Sequence, residues 1–253
     1  MTDPRPRYLR ASRAIAVAQS AVVLTQGRRL KRITPHLPEA EKPWVGQLVG
    51  PNPLRLLVLG DSTAAGVGTS TQHDALPGHL ATGLHARSGR GIHWRAVGKN
   101  GATSREIIAD YLDEALIEPA DLLFLTVGAN DAMTMRGAAA FRRDVRHILD
   151  AFEQRNPGSF VLMSSLPVFG RFGLLPQPLR TTLYRHSLAL EGAARGLVNA
   201  RERTVMSNDP PPYAVDFWAP DRFHPGPSGY RDWADWAVDD AWDRGLSDVM
   251  GRE

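Results

Sequence analysis

The chain contains no cysteine. That absence excludes disulfides, thiolate metal sites and cysteine nucleophiles together. Lysine is scarce as well, with three residues against 27 arginines. A GC-rich coding sequence produces the same bias, so it does not by itself signal phosphate chemistry. Uninterrupted apolar runs fall well short of the ~20 residues that a membrane-spanning helix needs. A nucleotide-binding loop is missing too. Gly66 and Gly68 follow a serine-containing turn at residues 60–64, but neither a GK[ST] ending nor a G-x-G-x-x-G accompanies them.

What is present fits one α/β domain with an appendage. The 253 residues are 43% hydrophobic and 23% charged, the balance of an ordinary soluble globular protein. Net charge is +3, and the excess is local. Residues 1–50 hold nine Lys or Arg against three acidic residues, so the remainder is slightly acidic. A nucleic-acid-binding face on the main domain is therefore not expected.

Residues 9–25 (LRASRAIAVAQSAVVLT) form a fairly apolar stretch between two groups of basic residues, Arg5, Arg7, Arg10 and Arg13 before it and Arg28, Arg29, Lys31 and Arg32 after it. Two readings stay open. One is a helix packed on the domain with a solvated basic end. The other is a peripheral membrane contact through residues 1–32, a basic helix lying on an anionic surface. A cleaved secretory signal is disfavoured, because the apolar run before a cleavage point is very short. Residues 34–43 (TPHLPEAEKP) read as a proline-broken linker. The expected organisation is a basic, partly apolar N-terminal helix and linker over 1–50 and a catalytic domain over 51–253. The expected location is cytoplasmic, with membrane association through the N-terminus as one of the two open readings.

From Pro53 onward short apolar runs alternate with helical patterns, which predicts a parallel sheet. Leu54–Leu59 is apolar enough to be buried on both faces. Further strands are predicted at His93–Val97, Leu122–Val127, Phe160–Ser164 and, weakly, Thr204–Met206. A helix over Ser104–Leu116 follows Thr103, with Glu106 placed for a capping box. Ala138–Glu153 carries Phe141, Val145, Ile148 and Phe152 at helical spacing, and Gly229–Trp242 supplies a tryptophan-rich closing helix.

Four groups of residues carry chemistry, three of them just beyond strand ends, where ligands gather in open parallel sheets. Gly60-Asp61-Ser62-Thr63-Ala64 follows the first strand, and its small residues let a serine present its oxygen at the sheet edge. Gly98-Lys99-Asn100-Gly101-Ala102-Thr103 follows the second; either glycine lets a backbone N–H approach a ligand. Gly128-Ala129-Asn130-Asp131 follows the third, where Asn130 is either a donor to a developing oxyanion or a turn residue. The fourth, Asp221-Arg222-Phe223-His224-Pro225, lies near the C-terminus. A serine hydroxyl needs a base, histidine suits that task, and a carboxylate three residues earlier can hold its ring. None of the seven other histidines has an acid partner in so constrained a setting.

Taken together and in this order, the four groups resemble the SGNH, or GDSL-type, hydrolase family over nearly all of residues 54–240. The resemblance implies a three-layer α/β/α sandwich around a five-stranded parallel sheet, a flavodoxin-like arrangement. It implies a serine esterase with Ser62 as nucleophile and oxyanion donor, Gly101 and Asn130 as further donors, His224 as base and Asp221 as its orienting acid. Gly101 rather than Gly98 matches the family-like N-G-A-T-S stretch. Thr63 departs from the leucine that commonly follows the serine, a position without a chemical role. The implied partner is a small-molecule ester, either a simple acyl ester or a lipid-like one, and neither metal nor organic cofactor is required. The alternative is a silent, membrane-attached binding protein on the same scaffold. Residues 166–179 (LPVFGRFGLLPQPL) are expected to wall an apolar acyl pocket or to bury their own apolar side chains.

Overall fold

The computed structural model describes residues 20–208 and 213–251. The reading of the basic stretch before residue 20 lies outside the described residues.

Six strands form one sheet in the order β1-β3-β2-β4-β5-β6: β1 Val45–Leu48, β2 Leu54–Gly60, β3 Ile92–Gly98, β4 Leu122–Thr126, β5 Phe160–Met163 and β6 Thr204–Met206. The five strands expected from the sequence are all present and pair in parallel. Among the described residues the sheet nevertheless has six strands rather than five. The extra one, β1, runs antiparallel to β3 at the edge, with Leu48 opposite Ile92 and Val45 opposite Arg95. Four half-exposed residues with a central glycine carry too little apolar signal to read as a strand. Gly46 is needed there, because a Cβ would meet the Trp94 ring at 2.4 Å.

Helices cover both faces. Alternate strand residues point opposite ways, so Leu57, Leu59, Leu123, Leu125, Val161 and Met163 enter one core cluster. There they meet α6 (Ala138–Arg155) through Phe141, Val145, Ile148 and Phe152, and α7 (Leu179–Val198) through Leu183, Leu190 and Leu197. Leu56, Val58, Phe124 and Leu162 enter the other cluster with α2 (Leu76–Ser88) and α8 (Pro227–Ala241). Burial of each such side chain is worth about 1.5–3 kcal/mol. This is the three-layer sandwich expected.

The predicted helix over Ser104–Leu116 is broken into three pieces. A short helix α3, Ser104–Glu106, runs into a π turn, Ile107–Tyr111, and then α4, Leu112–Ala115. The Thr103 capping box is formed: Thr103 N–H donates to Glu106 Oε2 at 2.8 Å, and Glu106 N–H donates back to Thr103 Oγ1 at 3.4 Å. The helices α5 (Ala129–Met133) and α9 (Ser247–Met250) are single turns. Ahead of the sheet, α1 (Ser20–Ile33) packs against the body through Val23 and Leu30.

Strand β2 lies between β3 and β4, so successive crossovers leave it in opposite directions. Its carboxyl end is the switch point where an open α/β sheet leaves a crevice. The backbones are pressed together there. A Cβ on Gly60 would lie 1.9 Å from Thr126 Oγ1, and one on Gly98 2.1 Å from the Gly60 oxygen.

Candidate active site

Immediately after Gly60 the chain leaves the sheet in a tight turn. Asp61 N–H donates to the Thr126 carbonyl at 3.1 Å, while Ala65 and Val67 N–H groups bond back to the Asp61 and Ser62 carbonyls at 3.0 Å each. Those bonds leave the Ser62 N–H at the head of the turn, with no acceptor among the described residues. The Ser62 hydroxyl likewise has no hydrogen-bond partner there. The side chain opens onto a cleft that His224 also lines.

His224 is held by local geometry. Asp221 Oδ1 accepts the N–H groups of Phe223 and His224 at 2.9 and 3.0 Å, an aspartate-capped turn. Arg222 takes φ +57 to make the bend, a conformation that costs a non-glycine residue on the order of 1 kcal/mol. The second oxygen, Oδ2, accepts the His224 Nδ1–H at 2.6 Å. Burial raises the Asp221 carboxyl, but the bonds from the His224 ring and the two N–H groups more than offset it and hold the group below the usual carboxylate range. An ionised carboxylate only accepts, so Nδ1 carries the ring proton and Nε2 keeps its lone pair in the neutral ring.

Asn130 stands at the start of α5, buried. Its Nδ2 donates to the Ala102 carbonyl at 3.0 Å and, at 3.4 Å, to Asp61 Oδ2. The next residue locks the loop in place: Asp131 accepts the Ser104 N–H at 2.9 Å and the Ser104 hydroxyl at 2.7 Å. Arg136 approaches Asp131 at 3.7 Å and is paired with Asp144. Gly101 lies exposed at φ +84 with no atom near its missing Cβ, and its N–H has no acceptor among the described residues. Gly98, by contrast, is part of β3 in register with Gly60.

Asp61 is the least accommodated group at the site. Its Oδ1 accepts from the Thr63 N–H and hydroxyl, both at 3.2 Å, and Thr63 Oγ1 also donates to Thr126 Oγ1 at 2.9 Å. Burial nevertheless pushes the Asp61 carboxyl from its ordinary 3.8 up to about 6, against the lowering effect of the Thr63 bonds. The folded carboxyl thus keeps its proton where the unfolded chain has released it. Folding takes up a proton between pH 3.8 and about 6, and stability falls as pH rises through that window. Melting temperatures of Asp61→Asn and wild type should therefore diverge in the variant's favour from pH 3.8 to about 6 and run parallel above it. The full difference corresponds to about 3 kcal/mol.

The cleft itself is apolar. Phe169, Phe172, Tyr213, Phe217, Trp218 and Phe223 form its wall, and Trp233 from α8 also lines it. Phe172 is the hub, with ring centroids 4.7 Å from Trp218, 5.2 Å from Phe169, 5.5 Å from Phe223 and 6.0 Å from Tyr213. The Phe223 ring in turn meets His224 edge-on at 5.2 Å. Ser62, Asp221, His224 and Asn130 thus converge at one strand end, and Gly101 stands one residue before the carbonyl that Asn130 holds. From the 166–179 segment Phe169, Phe172 and Leu175 are all buried in the main core, and Phe169 and Phe172 also line the cleft. Sequence reasoning missed Tyr213, Phe217, Trp218 and Phe223. Their signal was four aromatics within eleven residues of irregular chain.

Comparison with known proteins points the same way. Residues 58–231 match the GDSL-like Lipase/Acylhydrolase family. The GDSL-like esterase Rv1075c of Mycobacterium tuberculosis is 29% identical over 154 residues, which cover 59% of this chain; the matched part spans about half the length of that relative, 48%. Among solved structures, the lipase Lip_vut3 from a goat rumen metagenome superposes with a TM-score of 0.59 at 16% identity, over 75% of this chain and 98% of its own. A Clostridium thermocellum family 3 carbohydrate esterase gives 0.58 at 17%, over 79% of this chain and 100% of its own. At such identities the two structures speak to the fold. The family match spans both the serine turn and the histidine loop, and on that basis this chain belongs to the GDSL-like lipase/acylhydrolase family.

Proposed function

We propose that the chain hydrolyses carboxylic esters through an acyl-enzyme on Ser62. The observation that carries this reading is the Asp221–His224 pair, with its free imidazole nitrogen on the same cleft as the Ser62 hydroxyl. His224 Nε2 takes the hydroxyl proton as Ser62 Oγ attacks the ester carbonyl. The resulting oxyanion accepts hydrogen bonds from the Ser62 N–H, the Gly101 N–H and Asn130 Nδ2. The imidazolium, stabilised by Asp221, then gives its proton to the departing alkoxide, and the alcohol leaves. Water repeats the sequence on the acyl-enzyme, releasing the acid and restoring Ser62.

The same geometry supports an uncharged, apolar acyl group. Among the described residues, the ionisable groups that line the cleft are Asp61, His224 and the Tyr213 phenol, which burial pushes up to about 12 and keeps neutral. A cleft walled by aromatic rings suits an alkyl or aryl chain. Hydrolysis of p-nitrophenyl esters of increasing acyl length by wild type tests the reading. Turnover is expected to rise with chain length until the aromatic wall is met, and absence of turnover at every length would contradict it. Phe172→Ala is expected to move the optimum toward longer chains, because it removes the ring that four others contact. An unchanged length profile in that variant would place the acyl group elsewhere.

A further inference from the structure

We propose that α1 is a docking helix for an anionic lipid surface. Its inward side is settled: Val23 and Leu30 pack on the core. Gln26 Nε2 donates to the Gln177 carbonyl at 2.7 Å, and its Oε1 accepts the Leu179 N–H at 3.2 Å. The outward side has two features that nothing in the fold accounts for.

The first is unpaired charge. Arg28, Arg29, Lys31 and Arg32 are all exposed, the helix contains no acidic residue, and none of the four has an ion-pair or hydrogen-bond partner among the described residues. Elsewhere on the body several arginines have acidic partners, as in Arg55–Asp121, Arg195–Glu191 and Arg244–Asp240. Arg142, Arg143, Arg146 and Arg185 are exposed without one among the described residues, but on helices that also carry acidic residues. Lys31 and Arg32 in the last turn also complement the helix dipole, but that leaves Arg28 and Arg29 without a role. The second feature is exposed aliphatic surface. Val22, Leu24 and Ile33 are 52%, 54% and 60% exposed, three of the nine exposed large hydrophobic residues of the described chain within one 14-residue helix.

Helical spacing interleaves the two. Leu24, Arg28 and Lys31 follow i, i+4, i+7, and Val22, Arg29 and Ile33 follow i, i+7, i+11, so each of two exposed stripes flanking the inward side mixes apolar and cationic side chains. A phosphate-rich polymer would pair with the cations and leave the aliphatic groups in water. A bilayer of anionic lipids takes both: headgroups meet the guanidinium and ammonium groups, and the aliphatic tips enter the acyl boundary. No described helix is long and apolar enough to cross a membrane, so the mode is one of lying on the surface. Gln26 also fastens α1 to the end of the 166–179 segment that contributes Phe169 and Phe172 to the cleft. The docked helix is thereby joined to a wall of the acyl site. The docking does not depend on which ester is cleaved.

The test is co-sedimentation of the full chain with vesicles of pure phosphatidylcholine and of phosphatidylcholine containing about one third phosphatidylglycerol. Wild type is expected to pellet with the anionic vesicles only, and less at high salt. The combined variant Arg28→Gln, Arg29→Gln, Lys31→Gln and Arg32→Gln should bind at least about 100-fold more weakly, counting roughly five-fold per cation. It should hydrolyse a soluble ester at the wild-type rate, which shows that it is folded. Val22→Ser, Leu24→Ser and Ile33→Ser together should weaken binding on the order of ten-fold through lost aliphatic insertion. Failure of wild type to bind, or wild-type binding by the cation variant, would overturn the proposal. An unchanged affinity in the aliphatic variant, with duplex DNA displacing the vesicles, would also overturn it in favour of a general polyanion site.

Discussion

His224→Ala is expected to lower kcat for a p-nitrophenyl ester by about a million-fold, the scale seen when a serine hydrolase loses its base. The size of the effect follows from proton bookkeeping. Ser62 Oγ carries a proton that water does not remove at neutral pH, and the alkoxide leaving group needs one returned. In the proposed mechanism His224 performs both transfers, and Asp221, at 2.6 Å, fixes the proton on Nδ1 and leaves Nε2 free. The loss should be catalytic rather than structural. Asp221 keeps two main-chain donors when the ring is gone, and the His224 carbonyl still accepts the Ala219 N–H at 2.8 Å. Steady-state kinetics alongside thermal melting check this, with kcat collapsing while the fold persists. A variant that retains more than about one hundredth of wild-type turnover would mean that another group serves as base.

Asn130→Ala is expected to cost about 100- to 1000-fold in kcat, or about 2.7–4 kcal/mol of barrier, with little change in KM. The split matters, because a donor aimed at a charge that exists only in the transition state contributes little to substrate binding. Asn130 Nδ2 has two hydrogens. One is committed to the Ala102 carbonyl at 3.0 Å; the other makes only a long 3.4 Å bond to Asp61. That weaker bond is the one an oxyanion can replace. The loop that holds Asn130 does not rest on its side chain, since Asp131 and Ser104 bind each other through two hydrogen bonds. A rise in KM with kcat intact would assign Asn130 to ground-state binding instead.

The fold was largely legible because its central strands are buried on both sides. Leu54–Leu59 and Leu122–Val127 are continuous apolar runs, and they became β2 and β4 within one residue at their ends. The edge strand β1 was not legible. An edge needs only one partner and little burial, so VGQL carries no pattern that separates it from linker. The π turn at Ile107–Tyr111 was equally hidden, since its residues have ordinary helical spacing.

At the site, side chains that act through neighbours in sequence were readable. Asp221 and His224 are three residues apart, and a short turn suffices to join them. Contacts between distant segments were not. The Asp61–Asn130 bond spans 69 residues, and the Phe172 ring meets Trp218 and Phe223 only because the loops after β5 and β6 converge over the sheet end. Composition showed that aromatics were there; only the topology shows that they share a cleft.

Covalent labelling decides whether Ser62 is an activated nucleophile. Wild type, Ser62→Ala and His224→Ala are exposed to a fluorophosphonate, followed by intact mass and peptide mapping. One adduct per wild-type chain is expected, on the peptide containing Ser62, and none on either variant over the same time. An unlabelled wild type, or an adduct that persists in Ser62→Ala, would contradict that role.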